Sequence, residues 1–285
     1  MPEERIGLIG AGLLGSALAE RFMECGFAIL GFDSNPERLA ALERAGGAVA
    51  ISAADVAGRC DRIVLSLPDS SVAVSVIGQI ETELAPGDIL IDTTTGDPEV
   101  GAALGARLAA MGVAYVDATV GGSSRQARLG EAIVMAGASM EAYARCADLF
   151  ASLGGRTFHV GPPGSGGRMK LVMNLVLGLN RAVLAEGLAF AKASGVSPSD
   201  ALEVLRAGPA YSRAMDVKGP KMLSGDFVLE ARLSQHLKDV RLILETAVRV
   251  GALTPLSEAH RLLLEKAEAA GFGGADNSAV IKAYD

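Results

Sequence analysis

A glycine-rich turn follows the first short apolar run of the chain, where residues 6–15 read Ile6-Gly7-Leu8-Ile9-Gly10-Ala11-Gly12-Leu13-Leu14-Gly15. The apolar run predicts a strand and the residues after the turn predict a helix, which is the setting in which a Gly-x-Gly-x-x-Gly pattern binds a dinucleotide. In that setting Gly10 allows a tight turn, Gly12 lets the backbone approach a pyrophosphate, and Gly15 lets the helix pack close to the strand. The turn, including Leu13 and Leu14, is therefore a candidate cofactor site.

An acidic residue, Asp33, ends the second apolar run, 18 residues after Gly15. This is close to the spacing expected of a carboxylate that accepts hydrogen bonds from the adenosine ribose hydroxyls. Such a carboxylate would repel a 2′-phosphate, and the residues that follow it, Ser34-Asn35-Pro36, include no arginine. The sequence therefore favours NAD as the cofactor, with NADP as the less favoured alternative.

The first half of the chain alternates short aliphatic runs with segments of helical period. Because the runs lack polar alternation, they predict strands buried on both faces, as in a parallel sheet covered by helices. The predicted strands are residues 6–9, 28–32, 62–67, 89–91, 114–116, 132–136 and 157–160, and helices between them include residues 14–25 and 36–45. This succession predicts an α/β domain with a Rossmann-type doubly wound sheet.

The composition of the sequence changes at residues 154–167, which contain six glycines and two prolines. Such a cluster predicts a break between elements. Beyond it we find no convincing strand, and helices are predicted at residues 168–194, 200–206, 233–250 and 256–270, with Pro198, Pro209, Pro220 and Pro255 at the joins. The prediction is a Rossmann domain for NAD(P) at residues 1–163 and an all-helical domain for substrate and oligomerisation at residues 164–285.

Composition excludes several classes of function. The net charge of −7 argues against nucleic-acid binding, which needs clustered basic residues. No uninterrupted apolar stretch approaches the roughly 18 residues that span a bilayer, and residues 1–5 lack the layout of a signal peptide. The three cysteines are scattered, and the three histidines have no metal-ligand spacing. We therefore expect a soluble, cytoplasmic protein that uses no metal and no disulfide.

Two polar residues, Lys170 and Asn174, lie four positions apart near the start of the long predicted helix after the break. Residues at this spacing share one face of a helix. A junction between domains is a favoured place for a small-molecule site. Lys170 and Asn174 are therefore candidates for the chemistry that a bound hydride carrier would serve.

Several motifs, taken together and in order, resemble those of the β-hydroxyacid dehydrogenase family, which includes 3-hydroxyisobutyrate dehydrogenase and tartronate semialdehyde reductase. The resemblance covers nearly the whole chain, beginning with the glycine turn and including the Lys170/Asn174 segment. The other segments that carry it are Leu67-Pro68, Asp92-Thr93-Thr94-Thr95-Gly96-Asp97-Pro98, Asp117-Ala118-Thr119-Val120-Gly121-Gly122-Ser123, Lys238-Asp239-Val240 and Asp276-Asn277-Ser278-Ala279-Val280-Ile281.

The resemblance implies roles for these residues. Lys170 would be the general acid/base, because a positioned amine can take the hydroxyl proton when a hydride leaves the carbinol carbon. Asn174 would hold the amine or the substrate hydroxyl, and Lys238 would lie beside cofactor and substrate and lower the pKa of the amine. Thr95 would contact the nicotinamide ribose or the substrate. The segment Leu67-Pro68 would border the cofactor.

The substrate loop departs from the family pattern. The family usually has Ser-Gly-Gly after an Asp-Ala-Pro-Val stretch, whereas this chain has Gly121, Gly122 and Ser123, with Thr119 in place of the proline. Backbone N–H groups of the two glycines could still bind an anion. The hydroxyl that grips a substrate carboxylate would have to come from Ser123 or its neighbour, so the identity of the acid stays open.

The leading hypothesis is an NAD-dependent dehydrogenase that interconverts a small anionic β-hydroxy acid and its semialdehyde. An imine reductase of the same architecture is one alternative, although such enzymes typically lack a lysine at position 170. A dinucleotide-binding module without catalytic activity is the other. Because the long helix is apolar on nearly every face, we also expect a homodimer or homotetramer.

Overall fold

The structure, a computed structural model, describes residues 5–153 and 155–285. Residues 1–4, most of the segment considered above for a signal peptide, and residue 154, one of the glycines of the predicted break, lie outside the described part. The chain divides into two compact units, Met1–Lys170 and Leu171–Asp285. This division falls a few residues after the predicted boundary, because the first turn of the long helix packs with the first unit.

Eight strands form one sheet in the first unit. Their order is β3-β2-β1-β4-β5-β6-β7-β8, and every neighbouring pair is parallel except β6 and β7. The strands are β1 Arg5–Ile9, β2 Ala28–Phe32, β3 Ala48–Val49, β4 Arg62–Leu65, β5 Ile89–Asp92, β6 Ala114–Gly121, β7 Ile133–Gly137 and β8 Thr157–Gly161. All seven predicted strands are present. The additional strand, β3, was not predicted, because it has only two residues, both exposed, and therefore contains no apolar run.

Helices cover both faces of this sheet. They are α1 Leu13–Glu24, α2 Pro36–Arg44, α3 Ala53–Ala57, α4 Ser70–Ile80, α5 Pro98–Ala109, α6 Ser124–Arg128, α7 Met140–Arg145 and α8 Ala147–Ser152. The two faces carry separate apolar clusters: Val64 of β4 packs with Phe22 of α1, whereas its neighbours Ile63 and Leu65 pack with Leu108 of α5. Burial on both faces explains why the strand sequences show no polar alternation.

The strand order fixes where a ligand can bind. The chain builds outward from β1 in one direction through β2 and β3 and in the other through β4, β5 and β6. The order therefore reverses between β1 and β4, and ligands of doubly wound sheets bind outside the carboxyl ends of the strands at such a point. The predicted Rossmann-type sheet is confirmed, and the loops after β1, β4 and β5 meet at this edge.

The second unit is helical. Its helices are α9 Ser165–Ala193, which starts in the first unit, α10 Pro198–Ala207, α11 Arg213–Ser224, α12 Leu233–Val250 and α13 Pro255–Ala267, followed by short 3₁₀ and π segments. Leu188, Leu237 and Leu264 lie in its apolar core. Beyond Gly161 the described residues form no strand, as predicted, and a single isolated bridge joins Arg232 and Asp276.

The prediction that Pro220 marks a join between helices is wrong, because Pro220 lies inside α11. A proline in a helix removes the N–H that would donate to the carbonyl four residues earlier, here that of Asp216. The Arg206 guanidinium lies 3.4 Å from this carbonyl oxygen and 3.0 Å from that of Met215. A side chain thus donates where the backbone cannot.

The long helix α9 is the one described helix that is long and apolar enough to cross a membrane, by length and composition alone. The mean hydropathy of its most apolar window is 1.4, and 44% of that window is buried inside the protein. The central helix of a folded domain passes the same test. On its outer side Val172, Val176, Val183 and Phe190 are between 52% and 73% exposed.

Candidate functional site

The glycines of the turn after β1 differ in whether the fold leaves room for a side chain at their positions. Gly10 has a φ of +97°, and a Cβ atom there would lie 2.3 Å from the Ser66 carbonyl oxygen. A Cβ atom at Gly15 would lie 1.9 Å from the Gly10 carbonyl oxygen, so the helix approaches the turn as predicted. At Gly12 the nearest atom to such a Cβ is Arg38 Nη1, at 3.9 Å. The fold does not require a glycine there, whereas a ligand seated on the backbone would.

The first turn of α1 has an uncapped start. Its N-cap is Gly12, no side chain accepts a hydrogen bond from its first N–H groups, and its first turn holds no acidic residue. Helices α2 to α5 by contrast all start with a side-chain cap, from Asn35, Ser52, Asp69 and Asp97 respectively. Leu13, 60% exposed, and the half-buried Leu14 are the first residues of α1. An uncapped helix start with a glycine at the N-cap fits a pyrophosphate.

Asp33 lies at the end of β2, buried beside the turn. One carboxylate oxygen accepts from the Ala11 N–H at 2.7 Å, and the other accepts from the Asn35 N–H at 2.8 Å. The guanidinium of Arg38, which is half exposed, forms an ion pair with Asp33 at 3.3 Å. Arg38 lies beyond residues 34–36, and it reaches Asp33 because the first turn of α2 brings its side chain back towards the end of β2. A cation therefore lies beside the carboxylate that the sequence analysis expected to repel a 2′-phosphate.

The loops after β4 and β5 are tied to each other. Leu67 N–H donates to the Thr94 hydroxyl at 3.2 Å, and the Asp97 N–H donates to the Ser70 hydroxyl at 2.6 Å. These bonds place the predicted cofactor contacts Leu67, Pro68 and Thr95 at the carboxyl edge of the sheet. Thr95 and Leu67 are half-buried, and Pro68 is exposed.

The predicted substrate loop begins where β6 ends. Gly121 is the last residue of the strand, and Gly122 has a φ of +134°, a conformation that favours glycine. Ser123 is the N-cap of α6: its hydroxyl accepts from the Gln126 N–H at 3.3 Å, and its own N–H donates to the Gln126 side chain at 2.9 Å. The hydroxyl that could grip a carboxylate is thus engaged in a capping box.

Lys170 lies next to this loop. Its ammonium Nζ donates to the Val120 carbonyl oxygen at 2.6 Å, and its side chain is half-buried. Val120 directly precedes Gly121. The structure therefore brings the predicted acid/base and the predicted anion-binding turn together within the first unit.

Buried carboxyl groups lie on β5 and β6, close to the start of α9. Asp92 and Asp117 are register partners on these strands, and both are 5% exposed. Burial raises the pKa of Asp117 to about 7, although the N–H groups of Gly167 and Gly164 donate to it and favour the carboxylate. Burial also raises the pKa of Asp92, whose carboxyl group accepts from the Tyr115 hydroxyl at 2.8 Å.

Within the second unit, Asn174 is 6% exposed, and its amide nitrogen donates to Asp239 at 3.0 Å. Lys238, the predicted cation beside cofactor and substrate, forms an ion pair with the same carboxylate at 3.1 Å. Asp239 was missed as a site residue, although the Lys238-Asp239 motif contains it. It joins two residues that the sequence analysis had singled out separately.

The described parts of the chain hold no group of three or more His, Cys, Asp or Glu side chains that could bind a metal ion. Cys60 and Cys146 are buried as thiols, and burial raises the pKa of each.

Comparison with known proteins covers both halves of the chain. Residues 5–161 match the NAD binding domain of 6-phosphogluconate dehydrogenase, and residues 164–284 match the family described as NAD-binding of NADP-dependent 3-hydroxyisobutyrate dehydrogenase. The L-threonate dehydrogenase of Cupriavidus necator is 31% identical over 98% of this chain and 95% of its own length. The 2-(hydroxymethyl)glutarate dehydrogenase of Eubacterium barkeri is 30% identical over 99% of this chain and 95% of its own length.

A solved structure has the same fold over nearly its full length. The 3-hydroxyisobutyrate dehydrogenase of Salmonella typhimurium superposes with a TM-score of 0.89, at 26% identity, covering 98% of this chain and 99% of that one. Both family matches, the relatives and this structure agree with the family that the sequence motifs predict. The chain belongs to the β-hydroxyacid dehydrogenase family, and it is an NAD(P)-dependent oxidoreductase whose substrates are small hydroxy acids or semialdehydes.

Proposed function

We propose that the protein oxidises a small anionic β-hydroxy acid, similar to 3-hydroxyisobutyrate, to its semialdehyde, or catalyses the reverse reduction, with Lys170 as the general acid/base. The observation that carries the proposal is the hydrogen bond from Lys170 Nζ to the Val120 carbonyl at 2.6 Å. This bond holds the amine at the end of β6, beside the turn of Gly121 and Gly122.

The choice of a lysine at this place has a chemical reason. Lys170 is the first lysine of the chain, and every cationic side chain before it is an arginine. An arginine cannot give up its proton in a protein, whereas a lysine amine can be deprotonated when its surroundings favour the neutral form. A general base at this position therefore has to be the lysine.

The proton steps follow from the position of the amine. In the oxidation direction, neutral Lys170 Nζ takes the proton of the substrate hydroxyl. In the reduction direction, the ammonium donates a hydrogen bond to the aldehyde oxygen and then the proton. The Val120 carbonyl occupies one donor of the amine throughout, which restricts where the remaining ones point. By the family resemblance, Asn174 would hold the amine or the substrate hydroxyl; its amide donates to Asp239.

The cofactor site fits a dinucleotide. The uncapped start of α1 and Gly12 would hold the pyrophosphate, and Asp33 would accept from the ribose hydroxyls. When bound, the nicotinamide takes or gives the hydride. We infer NAD as the preferred form, because the Asp33 carboxylate disfavours a 2′-phosphate, although Arg38 offsets part of that charge.

The substrate acid would bind at the turn of Gly121, Gly122 and Ser123. Because the Ser123 hydroxyl is engaged with Gln126, backbone N–H groups would contribute the main contacts to the anion. The relatives named above act, by their names, on L-threonate and on 2-(hydroxymethyl)glutarate, which are both hydroxy acids of greater size or charge than 3-hydroxyisobutyrate. A panel of substrates should therefore include such acids.

We also propose a homodimer or homotetramer. The support is the exposed apolar side of α9, where Val183 and Phe190 are 68% and 73% exposed. Large apolar side chains in a row on one helix mark an interaction surface. Light scattering on the wild type and on V183D distinguishes the states: a wild-type monomer would refute the proposal.

Lys170→Met tests the catalytic role. Reduction of NAD at 340 nm is measured with a panel of hydroxy acids, and calorimetry measures NAD binding. Turnover should fall by about 10²- to 10⁴-fold, the usual share of a general acid/base, while NAD affinity stays unchanged. Lys192→Met, an exposed lysine on the same helix, is the matched control and should keep full activity.

Two outcomes would contradict the proposal. Retained turnover in K170M would remove Lys170 from the mechanism and would favour the imine reductase alternative if imines were reduced instead. If the wild type reduces NAD with none of the acids in the panel but still binds NAD, the alternative of a module without catalytic activity would be favoured.

A further inference from the structure

The start of α9 is held by residues of the strand beside it. The Asp117 carboxylate on β6 accepts from the Gly167 N–H at 2.7 Å, which satisfies a backbone donor in the first turn of α9. Thr119, two residues further along β6 and 1% exposed, donates its hydroxyl to the Gly166 carbonyl oxygen at 3.0 Å. One strand thus binds both a donor and an acceptor of the same helical turn.

The contact between strand and helix is close enough to require glycine. A Cβ atom at Gly166 would lie 2.2 Å from the Asp117 carbonyl oxygen and 2.6 Å from that of Met135. A Cβ atom at Gly137 would lie 2.1 Å from the Asp117 carboxylate. These distances are far below van der Waals contact, so the helix start is seated against β6 and β7 with no space for displacement towards them.

This contact between strand and helix lies next to the Lys170 amine: Gly166 is one turn before Lys170 on α9, and Thr119 directly precedes Val120 on β6. The path from Thr119 to the amine therefore runs through two rigid elements, the strand and the first turn of the helix. A displacement of the turn would move Lys170 Nζ relative to the Val120 carbonyl that it contacts. Displacements of about 1 Å at a catalytic group can cost about 10²-fold in rate.

We propose that Asp117 and Thr119 are positioning residues for the Lys170 amine: they anchor the first turn of α9 to β6 and so hold Lys170 Nζ at the Val120 carbonyl. The inference rests on the proposed role of Lys170 as acid/base.

Thr119→Val tests the hydrogen bond from Thr119 to the Gly166 carbonyl oxygen, because it keeps the branched shape and removes the hydroxyl. Thr119→Ser is its matched control. We expect T119V to lower kcat by about tenfold, since the amine is displaced, with KM and NAD affinity nearly unchanged. T119S keeps the hydroxyl and should recover most of kcat. A second variant, Asp117→Asn, should lower kcat in the same selective way.

A double-mutant cycle separates positioning from a general structural role. In the K170M background, T119V should cause no further loss of the residual rate, because there is no amine left to position. Equal losses from T119V with and without Lys170 would overturn the proposal. So would a loss that appears in NAD affinity and KM as much as in kcat.

A readout that needs no substrate keeps the test independent of the proposed function. Reductive methylation with mass spectrometry compares the labelling of Lys170 with that of the exposed Lys192 on the same helix. The ratio of the two should rise by about threefold or more in T119V, because the amine leaves its carbonyl partner, and it should stay at the wild-type value in T119S. An unchanged ratio in T119V refutes the anchoring, whatever the assay of K170M shows. If K170M retains turnover but the ratio rises, the proposed function fails and the anchoring stands.

Discussion

Protonation of His260 should destabilise the protein at mildly acidic pH. The imidazole is 2% exposed, and its centroid lies 5.2 Å from that of His236. Burial, with a smaller effect of the nearby Arg181 guanidinium, lowers the pKa of His260 from 6.5 to about 4. Its Nε2 has no hydrogen-bond partner among the described residues, so a proton on this nitrogen would have no acceptor there.

The sign follows from this depressed pKa. Above pH 6.5 the imidazole is neutral in both the folded and the unfolded chain, and its full contribution to stability is present. As the pH falls from 6.5 to 4, the unfolded chain takes up a proton that the folded chain excludes, and stability is lost. Two and a half pKa units correspond to about 3 kcal/mol, and the loss is complete below about pH 4.

The test compares His260→Leu with the wild type. Denaturant unfolding followed by circular dichroism gives the free energy of unfolding of each chain between pH 7.5 and 4. Asp117, whose pKa is raised to about 7, acts in the opposite direction in this range, because the folded chain takes up its proton first. It is present in both chains and cancels in the difference. The wild type should lose about 3 kcal/mol relative to H260L over the range. A difference that stays constant with pH would refute the reasoning.

Four substitutions of other residues separate effects on ligand binding from effects on stability. Gly12→Ala should leave the melting temperature nearly unchanged but weaken NAD binding at least tenfold by calorimetry, because only a ligand needs the space; equal losses of both would contradict this. Arg38→Ala should weaken NADP binding by about tenfold and leave NAD binding within a factor of about three, as expected for a charge-assisted bond to a phosphate; parallel changes in both affinities would exclude a role at the 2′-position. Gly178→Ala should destabilise by about 1–3 kcal/mol, since its Cβ would lie 2.5 Å from His236 Nε2. Gly187→Ala on the same helix, with nothing within 4 Å, should stabilise by about 1 kcal/mol in the same unfolding assay, and a common sign for the pair would be a contradiction.

The sheet could be predicted because its information is local. Each strand except β3 contains a short, mostly apolar run, bounded by glycine, proline or a charge, and in the strands other than the edge strand β8 such runs reflect burial on both faces. The glycine turn was predictable for the same reason, since its spacing and its place between strand and helix are visible within ten residues. The two exposed residues of β3 carry no such pattern.

The partners of the site residues could not be predicted, because they come from distant parts of the chain. Asp239 contacts Asn174 across 65 positions, and Asp117 contacts Gly167 across 50. Even the contact between Arg38 and Asp33, five residues apart, was not predicted, because it depends on how the first turn of α2 folds back and not on the residues directly after Asp33. Local patterns report which face of an element is buried, but not which element covers it.

The glycines show how a structure separates the demands of the fold from those of a ligand. Gly10 and Gly15 are explained by the protein itself, since any side chain there would overlap a backbone oxygen. A glycine that the protein does not need is costly in conformational entropy, and at Gly12 a ligand bound against the backbone would account for it. The same reasoning distinguishes Lys170 from the arginines before it: an arginine could donate to the Val120 carbonyl equally well, so the hydrogen bond alone does not call for a lysine. An arginine cannot release its proton, however, and this difference favours the role in proton transfer that we propose for Lys170.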